Sequence, residues 1–482
     1  MLNVRPIGFI VGILVVILGI SMVLPLLADL YFQDQHWKIF AYSSFFTIVV
    51  GALLVLSCLN SFPTSFSIQQ TFLLTVVIWF VLPIFGAIPF LIGWTNASFI
   101  DSFFEAMSGM TTTGATVFSG LDVFPEGLLL WRGLLQWFGG IGIIVVAVVF
   151  LPLLRVGGMQ MFQMDSFSNF GQSLPKVKEI AQSVFLIYLA LTCLAILAYL
   201  ASGLRLFDSV VHAMTTISTG GFGNYDDSFA NFPASTEYIC VLFMIASSIP
   251  FIRYVQLSNG NFKAPLADSQ IKTFLMILFF VVTILFLWLL VEQDFSTSFT
   301  LRKTLFNGVS ILTGTGYSSD NYMLWGTFPF SLFLIIGLIG GCAGSTTCSI
   351  KVFRFQILFS AIMVQIKQMH YSRAVLATRY EGKKVSLDII SSVIAFFILF
   401  FVTLFIVTLA LSLTGLDFVT SISGAVSTLA NVGPGLGERI GPVGNYANLN
   451  SWAKLILIFS MFVGRLELMV VYVLFTLTFW RG

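Results

Sequence analysis

The chain has 482 residues, 57% of them hydrophobic and only 9% charged, with a formal net charge of +2 and a mean hydropathy of +0.98. Soluble domains are about half apolar and a quarter charged, so the folding solvent here is lipid. A net charge this small, with Lys and Arg dispersed over loops, excludes a nucleic-acid partner.

In chain order, two apolar spans come first, 7–27 and 40–56, joined by a polar turn carrying Asp29, Asp34, His36 and Lys38. The first is longer than the roughly 7 to 15 residues of a signal-peptide core and no small-residue cleavage site follows, so it reads as a membrane helix. From about Thr71 a four-part rhythm begins: long apolar span, short apolar piece, Thr/Gly stretch, long span. The units are 71–92, 98–110 and 131–154; 180–201, 207–217 and 238–252; 273–291, 301–312 and 330–350; and 389–413, 417–430 and 452–480. The short pieces fall below the roughly 20 residues a spanning helix needs. The expectation is therefore an all-α polytopic membrane protein with ten transmembrane helices and four pseudo-repeats around one pore. Its divisions are 1–65 (two helices outside the repeat), 66–165, 166–262, 263–384 (with a basic connection) and 385–482.

Each short piece leads into a Thr/Gly stretch: Thr111 to Thr116, Ser218 to Gly223, Thr313 to Tyr317 and Asn431 to Gly435. One such stretch is ordinary loop composition, but four in register are an internal repeat. With Gly114, Gly220, Gly316 and Gly433 taken as equivalent, subtraction of their numbers gives spacings of 106, 96 and 117 residues.

Charge placement is an independent test. With both termini and the connections between units on the cytoplasmic side, that side holds 15 of the 23 bases and 5 acids, the bias of the positive-inside rule. Those bases include Arg155, Lys176, Lys178, Lys351 and Arg354, and the stretch from Lys351 to Lys384 is the longest basic connection.

Non-helical backbone at membrane depth is tolerated only inside protein or around water, so four half-depth turns require one shared centre. Short helices entering from outside aim their C-terminal carbonyls at the membrane middle, which favours a cation. The residues that follow can present carbonyls in place of an ion's hydration shell, with glycine adopting backbone angles that a Cβ opposes. The ligand set expected from this pattern is Thr112, Thr113, Gly114, Ser218, Thr219, Gly220, Thr315, Gly316, Asn431, Val432 and Gly433.

The motifs FFEAMSGMTTTGAT at 103–116, STGGFG at 218–223, TGTGYSS at 313–319, NVGPGLG at 431–437 and GRLE at 464–467 make the chain resemble the Trk/Ktr/HKT superfamily of potassium transporters, and within it the bacterial TrkH type. The resemblance covers nearly the whole chain. It implies potassium as the transported ion with no covalent cofactor, filter glycines at Gly114, Gly220, Gly316 and Gly433, a homodimer, and a cytosolic TrkA-type nucleotide-binding regulatory subunit. It also implies a bacterial inner-membrane location. Two stretches depart from a strict pattern: Gly314 stands where the first has Thr112, and Val432 and Pro434 flank the fourth glycine. A ring built from them is not four-fold symmetric.

Arg465 lies in an otherwise apolar span, where a charge costs about 2.5 to 3.5 kcal/mol on insertion scales and so faces a wet cavity or a partner. Glu467 is two residues away and projects to another side of a helix. Two readings stay open: a barrier below the filter, the role the resemblance implies, or an Arg held by carbonyls or by an acid on another helix. The run Gly340, Gly341, Cys342, Ala343, Gly344, Ser345, Thr346, Thr347 breaks a span, either for close helix packing or, as the resemblance implies, as a gating loop.

Cys58, Cys193, Cys240, Cys342 and Cys348 lack metal spacing, and His36, His212 and His370 are scattered, so neither a metal site nor a triad is expected. The leading expectation is a channel-like potassium uptake subunit. The alternative is a secondary transporter coupling potassium to sodium or protons, for which Asp101, Glu105 and Glu467 supply acids; an intramembrane enzyme lacks clustered nucleophile and base.

Overall fold

The computed structural model describes residues 3–59, 66–147, 158, 174–371, 373, 374 and 376–481. The far end of the expected span 131–154, the base Arg155 and the boundaries at 65 and 165 lie outside the described residues, as do the side chains of Lys176 and Lys178. The fold is predominantly helical, and among the described residues seven helices are long and apolar enough to cross a membrane. They are Arg5–Tyr31, Trp37–Ser57, Ile68–Ile92, Glu126–Val145, Glu179–Ala201, Ser269–Glu292 and Leu387–Leu413. The pair Ala234–Ser247 and Phe251–Ser258, bent by 88°, makes an eighth if it is counted as one span.

The other two expected crossings are interrupted. Within 330–350 only Thr327–Ile336 is helical at the start, and helix resumes at Val352–His370. Backbone bonds in between run from Gly340 N to Ile350 O (2.9 Å) and from Ile350 N to Leu338 O (3.1 Å), which closes a loop instead of continuing a helix. The last span divides into Ser451–Arg465, Leu468–Val473 and Leu477–Arg481, with Glu467 at φ 64° in the first break. The expected basic connection is the helix Val352–His370 followed by a two-stranded hairpin, Arg379–Tyr380 with Lys383–Lys384.

The N-terminal pair packs through small residues. A Cβ on Gly12 or on Gly51 would lie 3.0 Å from the other's carbonyl, so the two backbones touch as apolar helices do in lipid. Buried Asp29 ties this pair to the rest: it accepts the Gly127 amide at 2.5 Å, at the start of Glu126–Val145, and meets His36 Nδ1 at 3.1 Å.

The short apolar pieces form Phe99–Met110, Leu206–Ile217, Thr297–Leu312 and Phe418–Leu429. Ser98 caps the first by accepting Asp101 N at 3.2 Å, and Asp417 caps the fourth by accepting Thr420 N at 3.0 Å.

Candidate functional site

The four short helices end in one geometry. The amides of Thr113, Gly220, Thr315 and Val432 reach back five residues to Ser108, Thr215, Ser310 and Ser427 O, at 2.8–2.9 Å. The preceding amides, of Thr112, Thr219, Gly314 and Asn431, bond three residues back at 2.9–3.3 Å. This is the Schellman termination, and its left-handed residue is Thr112, Thr219, Gly314 or Asn431 at φ 51°, 49°, 69° and 52°. Only the third is glycine. A side chain in that conformation costs about 1–2 kcal/mol and persists where its surroundings fix it. Asn431 shows how: its Nδ2 donates to Met461 O at 3.0 Å and to Thr113 Oγ1 at 2.9 Å, tying the fourth loop to the first.

Two residues further on, the chain turns left-handed again, at Gly114, Gly221, Gly316 and Gly433, with φ 83°, 80°, 82° and 108°. The second loop thus corrects the expected register. Gly221, not Gly220, matches the other three, and Gly220 stands in the register of Thr113, Thr315 and Val432. At each of the four, an added Cβ would collide with a carbonyl of the next loop: Gly114 with Gly220 O, Gly221 with Thr315 O, Gly316 with Val432 O, and Gly433 with Thr113 O. The fourth contact returns to the first loop, so the loops close a ring.

Of the four ring carbonyls, Gly220 O accepts Gln136 Nε2 at 2.5 Å. Among the described residues, those of Thr113, Thr315 and Val432 accept no hydrogen bond, although these residues are 0–3% exposed. Buried carbonyls are normally paired, so three unpaired ones brought together leave oxygens that could take a cation or water. The C-terminal ends of four helix dipoles add negative potential. All four ring glycines also line a single cavity of about 310 Å³.

Buried polar side chains brace the ring. Arg132 pairs with Glu105 at 2.8 Å and donates to Gly223 O at 2.8 Å, linking the first unit to the second loop. Glu105 also accepts Thr116 Oγ1 at 3.0 Å and Val117 N at 3.0 Å. Gln136 accepts Phe222 N at 3.1 Å. Lys303 meets Glu237 at 2.9 Å and Ser319 O at 2.8 Å, and Lys454 meets Asp101 at 2.5 Å. Arg132 and Gln136 are absent from the residues expected from sequence, although a charge inside the run EGLLLWRGLLQWF carries the same signal as Arg465.

On the other side of Asn431, the loop through Gly340, Gly341, Cys342, Ala343, Gly344, Ser345, Thr346 and Thr347 packs against the 88° bend. Cys342 N donates to Ser248 O at 3.1 Å, Thr346 N to Ser247 O at 3.3 Å, and Phe251 N to Gly344 O at 2.9 Å. Arg465, 4% exposed, donates Nη1 to Thr346 O and Nη2 to Gly139 O, both at 3.4 Å, and touches Cys348 Sγ. Among the described residues it has no carboxylate partner. Glu467 instead pairs with Arg354 at 2.5 Å. Arg354 is 1% exposed and Lys351 sits against Thr347.

The family described as "TrkH: Cation transport protein" matches residues 36–480. The chain belongs to the TrkH family. It is 38% identical over 480 residues to the Trk system potassium uptake protein TrkI of Halomonas elongata, covering 99% of this chain and 97% of that protein. To the Trk system potassium uptake protein TrkH of Escherichia coli K12 it is 35% identical over 486 residues, covering 100% of both. The crystal structure of the potassium transporter TrkH from Vibrio parahaemolyticus superposes with a TM-score of 0.92 at 33% identity, covering 100% of both chains. This TrkH-family chain is therefore a multi-pass membrane transporter, and a transport protein instead of the intramembrane enzyme considered from sequence.

The site residues expected for this TrkH-family member come together in two layers. Thr112, Thr113, Gly114, Ser218, Thr219, Gly220, Thr315, Gly316, Asn431, Val432 and Gly433 belong to the ring and its helix ends, joined by Gly221 and Gly314. Arg465 and the loop ending at Thr347 form the second layer.

Proposed function

We propose that the chain carries potassium into the cell through a filter made by the four loops, whose carbonyls replace the ion's water. In this arrangement the two interrupted segments count as spans built around the filter, which gives ten crossings and four repeats. The observation that carries it is the closed ring, in which each glycine lies against the carbonyl of the next loop and three carbonyls have no donor. Its support from relatives is that proteins named for potassium uptake align with it from end to end.

Arg465 and the loop from Gly340 to Thr347 act as the barrier beneath the filter. A guanidinium held by main-chain oxygens and no carboxylate keeps its full charge towards a passing cation. The barrier is relieved by a cytosolic nucleotide-binding partner acting on a homodimer in the bacterial inner membrane, with both termini inside; Val352–His370, which joins the loop to an exposed surface, is the lever available to it. Rubidium uptake into sealed vesicles by the purified chain, competed by potassium and sodium, tests this. Uptake that potassium blocks and sodium does not is expected. Uptake that requires a sodium or proton gradient would favour the coupled-transporter alternative.

A further inference from the structure

We propose that Lys351 is a tethered cation lodged in an oxygen site on the inner side of the ring, which it must leave before ions pass. This rests on the filter reading above and adds a second charge to the barrier. Lys351 Nζ donates to Thr347 O and, at 3.0 Å, to Thr347 Oγ1. The preceding carbonyl, Thr346 O, is held by Arg465. Two consecutive carbonyls of one loop are thus occupied by two cations from separate elements. A carbonyl and a hydroxyl oxygen are the ligands a potassium ion takes, and an ammonium group with its three donors satisfies the same oxygens.

Placement gives this contact a consequence. Lys351, Thr347, Arg465 and Asn431 line one cavity of about 40 Å³, reaching from the loop to the fourth helix end of the ring. That is room for about three water molecules, at roughly 10–15 Å³ each, so an ion entering it comes within a few ångströms of the ammonium. Glu467 also lines the cavity, but its carboxylate is taken by Arg354 at 2.5 Å. Among the described residues Lys351 makes no ion pair. Lys351 is also the residue from which Val352–His370 starts, so displacement of that helix would draw the ammonium off Thr347.

The test is rubidium uptake by the purified full-length chain in sealed vesicles, with Lys351→Gln, Lys351→Arg, Thr347→Val and Arg465→Ala compared. Lys351→Gln raises initial uptake by about fivefold or more, the least that removing a unit charge some 4 Å from an ion gives even at the dielectric of water. It also lowers the half-saturating rubidium concentration and leaves the rubidium-to-sodium ratio unchanged. Lys351→Arg stays near the wild type, and Thr347→Val, which removes one ligand of the ammonium, raises uptake by less. A monodisperse Lys351→Gln protein with unchanged uptake, beside an Arg465→Ala protein that gains, overturns the inference and leaves the filter reading intact. Equal gains from Lys351→Arg and Lys351→Gln overturn it too, since charge is then irrelevant. If Lys351→Gln does not assemble, Thr347→Val decides, and unchanged or lower uptake counts against the proposal. Loss of rubidium-over-sodium preference in the wild type is a failure of the filter reading instead.

Discussion

Glu467 stands two residues beyond Arg465, yet its carboxylate lies 2.5 Å from Arg354, on the helix that follows the interrupted span. Arg465 is left to main-chain oxygens. The two halves of one GRLE motif therefore have different duties. Arg465→Ala should increase rubidium uptake with normal yield if Arg465 is the barrier proposed above. Glu467→Gln should lower the melting temperature, since it breaks a part-buried ion pair of the buried Arg354. Thermal melts beside flux measurements separate the two effects, and a reversed assignment would contradict this division.

The register of the second loop gives a sharper contrast. Gly221→Ala places a Cβ at φ 80° against the Thr315 carbonyl, a backbone group that cannot swing away. The conformation alone costs about 1–2 kcal/mol, and the collision spreads the ring. A Cβ on Gly220 meets the Gln136 amide, a buried side chain bonded to Gly220 O and Phe222 N, which can shift at the cost of those bonds where a backbone carbonyl cannot. Uptake should fall at least about tenfold in Gly221→Ala, a loss of about 1.4 kcal/mol, and less in Gly220→Ala. The opposite order would restore the register read from sequence.

Gly114→Ser should reduce the preference for rubidium over sodium. A Cβ there presses on Gly220 O, one of the four ring carbonyls, and its hydroxyl introduces an oxygen that a smaller ion can use. Competition of rubidium uptake by sodium is the measurement. Unchanged selectivity would remove Gly114 from the filter.

Arg132→Met should lower stability by about 3–5 kcal/mol by leaving Glu105 buried and unpaired. The same change frees Gly223 O, so the protein that does assemble should also lose ion selectivity. A double variant with Glu105→Gln should recover much of the stability and little of the selectivity. Melting curves and uptake from the same preparations provide both readings.

Much of this arrangement was legible in the sequence because lipid constrains it. Apolar pieces of about a dozen residues cannot cross, and the Thr/Gly stretch after each one points to a shared centre. What stayed hidden has local physical causes. STGGFG offers two adjacent glycines, and composition does not tell which one turns left-handed; only the contact of Gly221 with Thr315 O does. The breaks in the two interrupted crossings are invisible to hydropathy because it averages through them, and neither the Gly340–Ile350 bond nor the φ of Glu467 changes the mean. Lys351 read as a topology-setting base because its partner is a main-chain carbonyl four residues away, which no charge pattern reveals.

In the proposed filter the four loops hold a potassium-sized ion on a common axis. Anomalous scattering from crystals grown in rubidium or thallium tests it most directly. A peak enclosed by the carbonyls of Thr113, Gly220, Thr315 and Val432, lost on exchange into sodium, is the predicted result. A ring without ion density in rubidium, with the peak elsewhere in the protein, would contradict it.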